Sequence, residues 1–174
     1  MQDIYNRARN IRVAAFDVDG VLTDGALYYA DSGEELKAFD VRDGHGLRML
    51  KDSGLAVALI TSRNSRCVAE RARNLGIELL FQGATDKLAA FQELLGRCGA
   101  EAAACAFVGD DAVDLPVLRR CGLAVAVADA PAPIRREAHY VTRARGGRGA
   151  AREVCELILY ARGPNAARRA EPAR

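Results

Sequence analysis

The sequence predicts an α/β protein built on a doubly wound parallel sheet. Short apolar runs recur along the chain, separated by stretches long enough to carry a crossover helix, and four of those stretches stop at a glycine. Apolar runs without polar alternation suit strands buried on both faces, and helix-length crossovers between them demand parallel pairing. The runs also end in Asp, Thr or Ser, and open parallel sheets bind ligands beyond the carboxyl ends of their strands. The polar tips are therefore expected to share one site.

Residues 13–16 read as the first strand and run into Asp17-Val18-Asp19-Gly20. A second run at 55–60 follows Gly54 and ends in Thr61-Ser62-Arg63. Further strands are expected at 78–81, at 105–108 before Gly109-Asp110-Asp111, at 123–127 and at 140–142. Helices are expected at 46–53, 65–75, 86–98 and 114–121, where Gly54, Gly76, Gly99 and Gly122 suit the position just past a helix end. One segment breaks the alternation. Residues 26–30 and 35–40, joined by Asp31-Ser32-Gly33-Glu34, read as a β-hairpin inserted after the first strand. An isolated hairpin is marginal in water, so this one should pack on something. The expected organisation is one domain over 1–162, with the hairpin at about 25–40 as a minimal cap, and a disordered polar tail at 163–174.

Bulk properties exclude some functions. Half of the 174 residues are hydrophobic and 28% are charged, with a net charge of +2, the composition of an ordinary globular protein. Only 6% are aromatic, with no Trp, which argues against a nucleic-acid partner. No segment approaches the roughly 20 apolar residues of a membrane span, and Met1 to Asn10 is too polar for a secretory signal, so a cytoplasmic protein without a membrane partner is expected. The five cysteines are odd in number and include no CxxC pair, which reads as free thiols.

Hydrolysis of a phosphate monoester needs a nucleophile, a proton donor for the leaving oxygen, and cations for the equatorial oxygens. Asp17 and Asp19, at i and i+2, would direct two carboxylates to one side of a strand tip. Such a pair is relieved by a cation or a shared proton, and either suits catalysis. Asp110 and Asp111 add a second acidic cluster, from which Asp17 and Asp110 would suffice for Mg²⁺. Asp111 and Asp114 could instead cap the following helix. Thr61 can donate to a phosphoryl oxygen, and Lys87, in the first turn of a helix, calls for an acidic partner or an anionic ligand. A phospho-acceptor signalling domain offers similar residues but in another order, with its acceptor on the third strand and its lysine last.

Together, DVDGVLTDG at residues 17–25, Thr61, Lys87 within QGATDK, and GDDAVD at 109–114 resemble the four motifs of the haloacid dehalogenase superfamily of phosphatases. FDVRDGHGLRML, ITSR, AHYVTR and GGRGAAREVCELIL extend the similarity to its small-cap members that act on 3-deoxy-D-manno-octulosonate 8-phosphate in lipopolysaccharide biosynthesis. The resemblance implies Asp17 as nucleophile, Asp19 as general acid then base, and Mg²⁺ held by Asp17, the Asp19 carbonyl and Asp110. Thr61 and Lys87 would bind the phosphoryl group. Sugar-acid contacts would fall on Asp19, Asp40, Val41, Arg42, Asp43, Gly44, Arg48, Arg63, Arg71 and Lys87. His45 is given no catalytic role. A nine-carbon keto sugar acid 9-phosphate is an alternative substrate. The resemblance further implies a homotetramer with hairpins meeting at its centre and neighbouring subunits closing each site, the segment 146–149 reaching over the adjacent one as a mobile strand.

Overall fold

The computed structural model describes residues 2–163; the tail expected beyond 163 lies outside them. The first helix, α1 (Gln2–Arg9), leads into β1 (Val13–Phe16), followed by the hairpin strands β2 (Tyr28–Tyr29) and β3 (Glu35–Leu36). Then come α2 (Val41–Asp52), β4 (Ala56–Ile60), α3 (Arg66–Leu75), β5 (Leu79–Phe81) and α4 (Lys87–Cys98). The chain continues through β6 (Cys105–Gly109), α5 (Leu115–Leu118), β7 (Leu123–Ala126), α6 (Ala132–Glu137), β8 (Tyr140–Val141) and α7 (Ala150–Ala161).

Six strands form one parallel sheet in the order β5-β4-β1-β6-β7-β8. The four residues of β1 are all buried because strands and helices cover them on every side. Phe16, Leu59, Ile60, Phe107 and Leu123 from the strands meet Leu47, Leu50, Phe91, Leu94 and Ile158 from the helices to make the core. Helix α2 packs against α7, and α7 also against α1, while α4 packs against α5. The α2–α7 approach is close: a Cβ on Gly46 would stand 3.1 Å from the Arg152 Cα.

The predicted elements are present with changed ends. The hairpin is shorter than the runs that announced it, since only Tyr28–Tyr29 and Glu35–Leu36 are paired. Helix α2 starts five residues early because the Asp40 side chain caps it, accepting from the Arg42 N–H at 2.6 Å. The helix expected at 114–121 splits into a 3₁₀ turn (Ala112–Asp114) and the single turn of α5, with Pro116 in its first turn. Gly76 and Gly99 close their helices in the left-handed region as expected. Gly122 does not: it is required by close approach, since a Cβ there would lie 1.9 Å from the Ala103 carbonyl oxygen. Helix α6 has no counterpart among the predicted helices.

Candidate active site

Strand β1 lies beside β6, and the connection leaving β1 runs to β4 on one side while that leaving β6 runs to β7 on the other. The carboxyl end of β1 is thus the switch point at which doubly wound sheets bind ligands. Asp17 follows directly, its N–H still donating to the Val108 carbonyl at 2.9 Å, so the nucleophile candidate is held as if it were one more strand residue. Its neighbours across the sheet bring Thr61 after β4 and Asp110 after β6. One cleft is lined by Asp17, Asp19, Gly20, Gly25, Thr61, Ser62, Arg63, Lys87, Asp110, Asp111 and Val113. The first-strand pair, Thr61, Arg63, Lys87 and Asp110 therefore meet as the sequence predicts.

The Asp17 side chain is committed at both oxygens. Oδ1 accepts from the Val18 N–H at 2.7 Å and Oδ2 lies 2.6 Å from Lys87 Nζ. Lys87 begins α4 yet is buried, and its ammonium also reaches Asp114 Oδ1 at 2.7 Å. Asp114 is fully buried; its other oxygen accepts from the N–H groups of Asp110 and Asp111 at 2.9 and 3.2 Å. Asp111 caps the 3₁₀ turn through the Ala112 N–H at 2.7 Å. Asp114 thus fixes both the lysine and the backbone that presents Asp110, a task its sequence context did not reveal. The Thr61 hydroxyl accepts weakly from the Arg63 N–H at 3.4 Å, which leaves its own proton available.

Crowded anions dominate the electrostatics. Oxygens of Asp17, Asp110 and Asp114 lie within 4.8 Å of one another. Burial, then the Asp114 charge, push Asp17 up to about 7 against the pull of Lys87. Burial, then Asp17 and Asp114, push Asp110 up to about 8. For Lys87, burial works against the charged form but the Asp17 and Asp114 carboxylates outweigh it, so its pKa is raised.

These residues fit a hard divalent cation. Asp110 Oδ1 is buried without a hydrogen-bond partner among the described residues, while every oxygen of Asp114 is already engaged. Each Asp17 oxygen has a single contact, whereas Asp114 Oδ2 already accepts two, so Asp17 and Asp110 keep lone pairs to offer, and oxygen-only donors select Mg²⁺-like ions. Gly20 keeps the place open: at φ +85°, with a Cβ that would sit 2.1 Å from Asp110 Oδ2, no other residue fits there.

Other predicted contacts lie elsewhere on the chain. Asp40 is the α2 cap and pairs with Arg42 at 2.8 Å, Val41 is 81% exposed, and Arg48 bonds the Asn74 carbonyl. Arg71 donates to the Asp40 carbonyl at 3.1 Å, lies over the Phe39 ring and fills the space beside Gly44. Asp43 is buried and accepts from the N–H groups of Gly149 and Arg152 at 3.2 and 2.7 Å, anchoring the start of α7. None of these lines the Asp17 cleft. Nor is 146–149 a free strand: Gly147 N–H donates to Val21 O at 2.8 Å, and a Cβ on Gly146 would lie 1.8 Å from Gly20 O, so it seats on this chain's own 20–24 loop.

Two residues near the chemistry carry no sequence signal. Lys37, from the hairpin, pairs with Asp19 Oδ1, and Glu35 lies 3.3 Å from the same ammonium. Only the fold-back of the insert brings them there.

A carboxylate nucleophile candidate, a buried lysine and an acidic cation site at a switch point define a phosphoryl-transfer hydrolase on a doubly wound fold. Comparison agrees. The family model for haloacid dehalogenase-like hydrolases matches residues 40–122. The 3-deoxy-D-manno-octulosonate 8-phosphate phosphatase of Yersinia pestis is 52% identical over 159 residues, covering 91% of this chain and 85% of that protein. Its crystal structure superposes with a TM-score of 0.91, over 92% of this chain and 86% of that one. The Moraxella catarrhalis phosphatase of the same name, solved with magnesium, phosphate and the sugar acid, is 46% identical with a TM-score of 0.91 over 92% of both chains. The chain belongs to the haloacid dehalogenase-like hydrolase family. Its relationships within that family make it a phosphomonoesterase.

Proposed function

We propose that this enzyme hydrolyses 3-deoxy-D-manno-octulosonate 8-phosphate to the free sugar acid and phosphate, through an aspartyl-phosphate on Asp17, as a step in lipopolysaccharide biosynthesis. The observation that carries the reading is the convergence of Asp17, Lys87, Thr61 and Asp110 at three adjacent strand ends, with Asp19 beside them. Asp17 attacks phosphorus in line with the sugar oxygen. Asp19 gives that oxygen its proton, then takes one from the water that cleaves the acyl phosphate. Thr61 and Lys87 hold the equatorial oxygens. Asp17, the Asp19 carbonyl and Asp110 would hold Mg²⁺, which would supply charge neutralisation for the anionic substrate.

Arg63, at the cleft rim, is suited to a sugar-acid carboxylate because guanidinium and carboxylate pair in a planar, two-point fashion. Assembly would supply the rest. Leu27, Tyr28, Tyr29 and Leu36 leave the hairpin apolar and exposed, which supports a homotetramer joined through its hairpins. In such an assembly Arg48 and Arg71 can serve a neighbour's cleft.

Phosphate release with Mg²⁺ across eight- and nine-carbon sugar acid phosphates and hexose phosphates tests the reading. The eight-carbon substrate should be preferred, and chelation should abolish turnover that added Mg²⁺ restores. Equal turnover of hexose phosphates would refute the substrate assignment.

A further inference from the structure

We propose that Lys37, delivered by the inserted hairpin, is a positioning residue for Asp19, so that the hairpin takes part in proton transfer. The inference rests on the reading of Asp19 as the residue that exchanges protons with the leaving oxygen and the water. The Lys37 side chain is 1% exposed, and its ammonium pairs with Asp19 Oδ1 while lying 3.3 Å from Glu35 Oε1. A lysine head withdrawn from water is tolerated only when paired, so its place is set by these two carboxylates.

Glu35 in turn is fixed from the body of the fold. Its Oε1 accepts from Arg63 Nη2 at 3.0 Å and its Oε2 from the Ser65 hydroxyl at 2.6 Å. Arg63 Nη2 also donates to the Tyr29 hydroxyl at 3.1 Å, which ties β2 to the same group. A chain of charged contacts therefore runs from the β4–α3 connection through β3 to Asp19.

The consequence for Asp19 is a division of its carboxylate. Oδ1 is committed to Lys37, whereas Oδ2 is buried with no hydrogen-bond partner among the described residues. Asp19 sits on a turn beyond β1, where its side chain would otherwise rotate, and proton transfer requires one free oxygen held within hydrogen-bond reach of the reacting atoms. Lys37 decides which oxygen that is. Glu35 and Arg63 keep Lys37 in place, so Glu35 acts at one further remove.

The test uses Lys37→Met, Lys37→Gln, Lys37→Arg and Asp19→Asn in the full chain, assayed for phosphate release on the best substrate of the panel, with thermal unfolding as the folding control. Lys37→Met should lower kcat by about tenfold or more with KM changed less than about twofold, since the group it positions acts in the chemical step rather than in substrate binding. Lys37→Gln, neutral and able to hydrogen-bond, carries the same expectation if the Met variant does not fold, and Lys37→Arg should restore most of the rate. In the Asp19→Asn background the same Lys37 substitution should cost less than about twofold, because its target is gone. Wild-type kcat in the neutral variants, or an equal loss with and without Asp19, would overturn the inference, while an Asp19→Asn enzyme slowed but still measurable would leave the reading of Asp19 standing. An Asp19→Asn enzyme with full turnover would overturn both.

Discussion

Asp114→Asn tests how the buried charge cluster is built. The native carboxylate accepts three bonds, one from Lys87 Nζ at 2.7 Å and two from the Asp110 and Asp111 N–H groups at 2.9 and 3.2 Å, in a position with no solvent exposure. Asparagine has one oxygen. If it serves the two N–H groups, its NH₂ faces the ammonium and two donors oppose each other; if it serves Lys87, both N–H groups are left facing a donor. A charge-assisted bond is worth about 1.5–3 kcal/mol and breaking a buried pair about 3–5 kcal/mol. Lys87 keeps Asp17 as a partner at 2.6 Å, so the loss should be about 2–4 kcal/mol. For a chain of this size that lowers Tm by roughly 4–16 °C. Loosening Lys87 should also lower kcat/KM by about tenfold or more, equivalent to roughly 1.4 kcal/mol of transition-state stabilisation. Thermal unfolding and initial rates read both. A Tm within about 1 °C of the parent and unchanged kinetics would refute the view that Asp114 anchors the lysine.

Gly20→Ala places a Cβ where Asp110 Oδ2 now sits, in a backbone region unsuited to alanine, so the Mg²⁺ needed for half-maximal activity should rise by about tenfold or more; metal titration of the rate checks it. His139 Nδ1 accepts from the Ala124 N–H at 2.9 Å, and burial, then the Arg7 charge, hold its pKa below 6.5. The unfolded chain therefore binds the extra proton first, and this contribution to stability is full above pH 6.5 and declines as the pH falls below it. Chemical denaturation between pH 5 and 7.5 should show the decline in the parent and a shallower one in His139→Gln.

Much of this was legible in the sequence because it depends on short-range pattern. Apolar runs named the sheet strands, and the residues at their tips named Asp17, Thr61 and Asp110, since in a parallel sheet the tip position is the site position. Lys87 was legible as an oddity, a cation at the start of a helix, and the structure supplies the two carboxylates that explain it. Asp43 and Asp114 were not legible in the roles they take. Each is a buried acid whose partners are backbone N–H groups or a lysine from another element, and nothing in local sequence distinguishes it from a surface cap. Lys37 and Glu35 were hidden for a related reason. The hairpin strands are two residues long, with Lys37 just past the second, and the role of both residues comes from where the hairpin folds back, not from any periodicity.

The most direct measurement is the acid-quenched enzyme after brief exposure to substrate and Mg²⁺, reduced with borohydride and mapped by mass spectrometry. A phosphoryl adduct is expected on Asp17, reduced to homoserine at position 17, that forms and decays at rates matching turnover. Steady release of phosphate with no adduct at Asp17, or an adduct on another carboxylate, would contradict it.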